Sequence, residues 1–437
     1  MGICMTITKL PVFRMVGIVF TFLFFLPDLL YGQSSKPNII LIMADDLGYE
    51  CLSCNGSQSY QTPHLDALAA SGIRFEHCYS QPLCTPSRVQ LMTGRYNFRN
   101  YKMFGFFDIE EITFANILKD AGYATCIAGK WQLSNGLEGP HLAGFDEYCL
   151  WQIYRKIAGK MVVGSRYADP TIHVNGQLLT MTDGKYGPDI FCDYIMNFME
   201  CKKSGPFLVY YPMVLTHDPF SPPPDHPHWS VDKFANDTTY FAGMVSYMDK
   251  IVGRLVKKLD ELKLRDKTLI LFTGDNGTHS RVYSKINDNW VQGGKSKMAV
   301  AGTHVPLIAN WSGRIKSGQI SDVLIDFSDF MPTLAAAADA ALPEDLIIDG
   351  KSFYSLLIGE AKVIREWVYF YYWGQGRNLL EKKESAQTRQ WKLYDDGLFF
   401  NFIADPLEKK PIASDLLTEE QEKIKKQLQE VLDNIKK

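Results

Sequence analysis

Two polar pairs stand far apart in this chain, Asp45-Asp46 and Asp275-Asn276. Three carboxylates and one amide oxygen form a hard-oxygen set that suits Ca2+, and Mg2+ less well. Either pair alone reads as an ordinary polar turn, and Asp275-Asn276-Gly277 is a good one. Together they make a candidate cation site. Cys84 opens the run Cys84-Thr85-Pro86-Ser87-Arg88. Thr85 is suited to cap a helix there, Pro86 suits its first position, and Val89, Leu91 and Met92 continue it. A helix N-terminus favours anions and lowers a thiol's pKa. Arg88, Lys130 and Lys295 add positive charge, and His217 exchanges protons near neutral pH. Lysines and histidines are usually solvated or held in loop contacts. These gain weight from where they stand.

They stand at the ends of apolar runs. Residues 38–44 end at Asp45-Asp46, 123–128 at Gly129-Lys130, 207–211 just before Thr216-His217, and 268–273 at Gly274-Asp275-Asn276. Short continuous apolar runs predict strands buried on both faces. Helical patterns separate them: 63–72 after Thr62 as cap, 113–121 ending at Gly122, and 241–262. The alternation predicts an α/β fold, a large mostly parallel sheet with helices on both faces. Ligands of such sheets lie beyond the carboxyl ends of the strands, where the polar residues fall. After about residue 360 the texture changes. Aromatic-rich runs at 367–373, 390–394 and 398–402 predict a smaller antiparallel sheet. A terminal helix starts at Thr418, with Gln421 completing a capping box. The expected division is a signal segment 1–32, a catalytic domain 33–360 and a C-terminal subdomain 361–437.

The chain has 437 residues, 46% hydrophobic and 22% charged, with net charge −3. That composition builds a substantial globular core. Balanced charge without a long basic run argues against nucleic-acid binding. Lys9 and Arg14 precede an uncharged apolar run from Met15 to Leu26, and small Gly32 follows. This predicts a secretory signal cleaved near Gly32, hence a secreted or periplasmic protein. The run is shorter than the roughly 20 residues of a membrane-spanning anchor, so no stable membrane insertion is expected. Nine cysteines show no legible disulfide framework, and Cys51-Leu-Ser-Cys54 lacks the second half of a zinc ribbon. Glycosylation sequons stand at Asn55, Asn236, Asn276 and Asn310.

Cys84-Thr85-Pro86-Ser87-Arg88 with Thr93-Gly94-Arg95 resembles the signature of type I sulfatases, members of the alkaline phosphatase superfamily. Pro37-Asn38-Ile39 through Asp45-Asp46-Leu47-Gly48 is similar to that family's opening motif, and Thr273-Gly274-Asp275-Asn276-Gly277 to a later one. Gly129-Lys130-Trp131, Thr216-His217-Asp218-Pro219, Gly293-Gly294-Lys295, Met331-Pro332-Thr333-Leu334 and Asp349-Gly350-Lys351-Ser352 extend the likeness over roughly residues 37–357. The resemblance implies a sulfuric ester hydrolase. A formylglycine-generating enzyme would oxidise Cys84 to formylglycine, whose hydrate is the nucleophile. Asp45, Asp46, Asp275 and Asn276, with residue 84, would bind calcium; Asn276 would then escape glycosylation. Arg88 would hold the hydrate, Lys130 and Lys295 the sulfate, and His217 would protonate the leaving alcohol. The second hydroxyl of the hydrate would then expel sulfate, a route closed to a plain Ser or Cys. A sulfated glycan is the expected substrate class.

The chain departs from the family at Gln132, where a histidine usually stands two residues after the first lysine. Glutamine hydrogen-bonds but takes no proton at neutral pH. Another base serves, or collapse is slower, or Gln132 only orients a hydroxyl. A second departure is Ala301-Gly302-Thr303-His304, with His304 expected to support its loop. Two other functions compete: a phosphatase or phosphonate hydrolase of the same superfamily, and a non-catalytic binder of sulfated glycans with Cys84 unmodified. Arg99, Tyr101, His141, Trp151, Arg155 and Arg166 lie in stretches that shape substrate pockets in the family, although plain surface placement is the default for each.

Overall fold

Alternate residues of the first strand face opposite ways, and both faces are apolar. Ile39, Leu41 and Met43 enter one core layer; Ile40, Ile42 and Ala44 enter the other. A strand of this kind must sit in mid-sheet with cover on both sides. The computed structural model of the protein bears this out. It describes residues 36–153, 164–360, 364–373 and 382–437, and two short strands between 153 and 164. The expected signal segment and Arg155 lie outside the described residues.

In chain order the strands are β1 (Asn38–Ala44), β2 (Ile73–Tyr79), β3 (Ala124–Lys130), β4 (Glu147–Trp151), β5 (Lys156–Ile157), β6 (Lys160–Met161), β7 (Ile172–Val174), β8 (Gln177–Leu178) and β9 (Phe207–Pro212). Then come β10 (Thr268–Gly274), β11 (Tyr283–Ile286), β12 (Asn289–Gln292), β13 (His304–Asn310) and β14 (Gln319–Asp326). The main sheet has ten strands in the order β14-β2-β13-β10-β1-β9-β3-β4-β7-β8. From β10 to β4 all neighbours are parallel. β13 joins antiparallel to both its neighbours, and β7 antiparallel to β4. The four apolar runs predicted as strands are therefore four adjacent strands, β10, β1, β9 and β3, with their carboxyl ends on one edge.

Helices cover both faces. Cys84–Thr93, Phe114–Asp120 and Phe330–Ala337 pack on one core layer; Pro63–Ala70, Gly187–Lys202 and Phe241–Glu261 pack on the other. Thr113 caps its helix through a box with Asn116. Thr62 occupies the predicted cap position but makes no cap bond. Its hydroxyl instead donates to the Asp66 carboxylate at 3.2 Å and accepts the Ser53 N–H at 3.0 Å.

The C-terminal strands β15 (Val368–Tyr372), β16 (Lys383–Gln387), β17 (Trp391–Tyr394) and β18 (Phe399–Asn401) form an antiparallel meander. The helix Glu419–Asn434 follows, with the predicted Thr418–Gln421 capping box formed and Leu428 buried. Residues 36–437 make one compact unit. Among the described residues no helix is long and apolar enough to cross a membrane.

Candidate active site

At the end of β1 the chain turns sharply. Asp46 takes φ 59°, a left-handed conformation rare for a residue with a side chain. Its N–H donates to Asp275 Oδ1 at 2.9 Å, which ties the turn to the end of β10. Gly274 makes the approach feasible, since a Cβ there would lie 2.1 Å from the Leu47 carbonyl oxygen. Asn276 Nδ2 donates to Asp46 Oδ1 at 2.8 Å. Beyond β9 the chain runs on beside β1: Asp45 N–H donates to Leu215 O at 2.8 Å and Thr216 N–H to Asp45 O at 2.7 Å. This brings His217 against the acidic pair, 3.7 Å from Asp46 Oδ2. Lys130, at the end of β3, donates to both Asp45 oxygens at 2.9 and 2.8 Å. Lys295 pairs with Asp46 and donates to His217 Nε2 at 2.9 Å.

Cys84 is the first residue of its helix, and the cap position is Leu83, whose side chain accepts nothing. Thr85 is not the cap, because Gly105 N–H occupies its hydroxyl at 3.0 Å. The cysteine still opens the helix, as predicted, and its Sγ lies 3.6 Å from Gln132 Oε1. One turn on, Arg88 donates through one terminal nitrogen to Lys130 O at 2.8 Å and Trp131 O at 3.1 Å. Its Nε lies 3.9 Å from Asp275 Oδ2. The loop carrying Lys295 is tied to the approach to Cys84 by Ser296 N–H donating to Pro82 O at 2.8 Å. The ten candidate site residues thus meet at one place, Cys84 and Arg88 from one helix and the others from strand ends and the loops that follow them.

Burial alone would raise each carboxyl. Around Asp45 the charges of Lys130, His217, Arg166 and Lys295 overcome it and hold the carboxyl well below its usual range. Asp46 is likewise lowered, against burial, by His217 and Lys295. Asp275 goes the other way: burial and the neighbouring Asp45 charge push it well up. Burial opposes the Lys295 charge, but Asp46, Cys84 and Asp45 outweigh it and raise its pKa. Burial pushes the His217 imidazole down, in keeping with an Nε2 that accepts from Lys295. Among the described residues, Asp275 Oδ2 and Asn276 Oδ1 are buried without hydrogen-bond partners. Buried oxygens seldom go unpaired. Two of them beside two further buried carboxylates fit a hard dication. Asp45, Asp46 and His217 also offer ligand atoms within 4.8 Å of one another.

The pocket-shaping residues divide. Arg99 forks onto Asp349 at 2.9–3.0 Å, and His141 sits 2.8 Å from Phe145 O against Tyr148. Arg166 and Trp151 are not ordinary surface groups. The Arg166 guanidinium lies 4.0 Å from the Trp151 ring centroid and 3.5 Å from Asp45 Oδ2. Only its position in a strand-end stretch hinted at this. His304 supports its loop, stacked 4.2 Å from Tyr49 and 5.1 Å from Tyr79, with Nε2 2.8 Å from Glu76 O. The eight described cysteines are free thiols.

A family model for sulfatases matches residues 37–340. The chain belongs to the formylglycine-dependent sulfatase family. This sulfatase also matches, over residues 294–437, the C-terminal model of N-sulphoglucosamine sulphohydrolase. It is 33% identical to arylsulfatase A of Homo sapiens, over 77% of this chain and 70% of that protein. It is 28% identical to an N-acetylgalactosamine-6-O-sulfatase of Bacteroides thetaiotaomicron, over 93% of this chain and 94% of the other. Among solved structures, Ps i-CgsB in complex with k-i-k-neocarrahexaose superposes with a TM-score of 0.75 at 26% identity, covering 91% of this chain and 92% of that one. A phosphonate monoester hydrolase of Agrobacterium radiobacter shares the fold, with a TM-score of 0.69 at 19% identity over 90% or more of each chain. The protein is a sulfatase-family enzyme with the alkaline phosphatase superfamily fold.

Proposed function

We propose that this enzyme removes sulfate from a sulfated carbohydrate, with formylglycine made from Cys84 as nucleophile and calcium held by Asp45, Asp46, Asp275 and Asn276. One observation carries the reading. Four adjacent strand ends deliver three carboxylates, an amide, Lys130 and His217 to the helix start that bears Cys84 and Arg88. Bound calcium would supply Lewis-acid stabilisation of sulfuryl oxygens and of the ionised nucleophile. The aldehyde hydrate would supply two hydroxyls, one to attack and one to expel sulfate.

The chain's own residues do the remaining work. Lys130 and Lys295 present ammonium groups to the sulfuryl oxygens. Both now sit on carboxylates of the cation set, so each carboxylate that turns to a cation frees a lysine for the anion. Arg88 braces the end of β3 and faces Asp275 from the helix of Cys84. His217 is oriented by Nδ1–H donating to Asp218 O at 2.6 Å, and Nε2, which accepts from Lys295 at 2.9 Å, exchanges the leaving-group proton once Lys295 turns to the sulfate. Gln132 touches the Cys84 sulfur and orients what is made of it.

Carbohydrate is supported by the relative named as an N-acetylgalactosamine-6-O-sulfatase and by the structural neighbour in complex with k-i-k-neocarrahexaose. We further infer cleavage near Gly32, an extracytoplasmic location, maturation by a formylglycine-generating enzyme, and a division at residue 360. Co-expression with that enzyme, followed by mass spectrometry of the peptide bearing residue 84, tests the nucleophile. Aryl sulfate, aryl phosphate and a glycan-sulfate panel are then assayed together. Sulfate release that requires both the aldehyde and calcium is expected. An intact thiol without activity in the native host supports a binder instead, and dominant phosphate hydrolysis sinks the sulfatase reading.

A further inference from the structure

One cation at the site has no task in the reaction just described. Arg166 is held from three sides. Its guanidinium stacks on Trp151, the last residue of β4, at 4.0 Å. The next residue, Tyr167, donates its hydroxyl to Val214 O at 2.7 Å and to His217 O at 2.5 Å, pinning this segment to the loop of the general acid. Gly187 packs against its backbone so closely that a Cβ there would lie 2.1 Å from Arg166 O. A guanidinium stacked and anchored in this way loses little freedom on binding a ligand. Its NH1 is nevertheless buried without a hydrogen bond among the described residues; it forms a 3.5 Å ion pair with Asp45 Oδ2 but no hydrogen bond to it. A buried donor left open beside a reaction centre points to an acceptor that the protein itself does not supply. Lys130 donates to both oxygens of Asp45, so that carboxylate has its hydrogen bonds without Arg166, whose charge only adds to the field around it.

The side on which Arg166 stands gives it a meaning. Its neighbour Tyr167 donates to the backbone of His217, the general acid of the proposed reaction, whereas Gln132 lies against Cys84 and Arg88 is on the cysteine's helix. We propose that Arg166, backed by Trp151, binds a second anionic group on the sugar that carries the scissile sulfate, a carboxylate or another sulfate, and so selects doubly charged sugars. This deepens the sulfatase reading above and rests on it. Guanidinium matches the two-oxygen geometry of either anion, and stacking on Trp151 holds its plane in place.

The test uses the full-length matured enzyme and a panel of monosaccharides with one sulfate, with two sulfates, or with one sulfate and a carboxylate. Hydrolysis is measured for each, and calorimetry with Cys84→Ala measures binding of the same panel. Wild type is expected to prefer doubly charged members in KM and in affinity. In Arg166→Gln the ratio of doubly to singly charged substrates should fall about 10- to 100-fold, the range for one charge-assisted contact. Arg166→Lys, which keeps charge but not the fork, should recover part of it. Melting curves confirm that each variant folds. A wild type that favours singly charged sugars, or a ratio unmoved in Arg166→Gln, overturns the assignment. Absence of hydrolysis across the whole panel instead counts against the sulfatase reading, while the calorimetric ratio still reports on Arg166.

Discussion

Gln132 stands two residues after Lys130, where the family resemblance leads one to expect a histidine, and its amide oxygen lies 3.6 Å from the Cys84 sulfur. Its backbone is fixed in the left-handed region, φ 52°, by the N–H bond to Gln152 O at 3.2 Å. An amide there donates and accepts but does not titrate near neutrality. His217, the other candidate, is committed to Asp218 and Lys295. Beside Cys84 the site therefore offers, among the described residues, no imidazole other than His217, and the Asp275 carboxylate, whose Oδ2 has no hydrogen bond, belongs to the candidate cation set. Gln132→His puts an imidazole there, in a backbone conformation that histidine tolerates better than most residues. The kcat profile should then gain an ionisation between pH 5 and 8, and the second step should accelerate by about 100-fold if proton transfer limits it. Pre-steady-state kinetics across that pH range separates the two steps. An unchanged profile and rate would show that orientation by the amide suffices.

The elements around the site are held by contacts that cross the molecule. The loop that presents Lys295 is gripped from the C-terminal sheet: Lys392 of β17 donates to Met298 O, and Glu408 accepts Val300 N–H at 3.0 Å. Lys392 is fully buried and pairs with Glu408 at 3.3 Å. Removing one partner of a buried ion pair costs about 3–5 kcal/mol, because the other charge stays buried. Lys392→Met should lose that much in chemical denaturation, and kcat/KM should fall as the Lys295 loop loosens. Lys392→Met with Glu408→Gln should regain much of the stability but little of the activity. Equal recovery of both would mean that the clamp has no part in positioning Lys295. This grip also marks where sequence reading stops. The strands β1, β3, β9 and β10 were legible because two-sided burial demands unbroken apolar runs. β16, Lys-Glu-Ser-Ala-Gln, was not, because it is polar in sequence yet mostly buried, its Glu384 held by distant partners: it accepts from Tyr369 at 2.7 Å and pairs with Lys436. Thr85 misled for the same reason, its hydroxyl being claimed by Gly105. The grouping of the candidate site residues was legible from strand ends and a family likeness. The contact of Arg166 with Asp45 was not, since neither period nor motif links the two.

At the scale of the whole molecule, the cation set sits in the middle of the ten-stranded sheet, on the adjacent ends of β1 and β10. Residues 36–437 form one compact unit, so an ion bound there stabilises the sheet that everything else packs on. An ion that binds only the folded state adds about 2.7 kcal/mol at a hundredfold excess over Kd. For the roughly 400 residues of this unit that is a rise of about 3 °C in melting temperature. Calcium should produce it, magnesium less, and chelation should remove it. Asp275 makes the prediction specific. Burial and Asp45 push its carboxyl well up, so without a cation it is a buried acid in an unfavourable place. Asparagine keeps the oxygen that accepts the Asp46 N–H and discards the charge. Asp275→Asn should therefore melt higher than wild type in chelator, yet respond little to calcium. Opposite signs in the two conditions are hard to obtain from a merely structural defect. A variant that melts lower in chelator, or that gains as much from calcium as wild type, would remove Asp275 from the cation set.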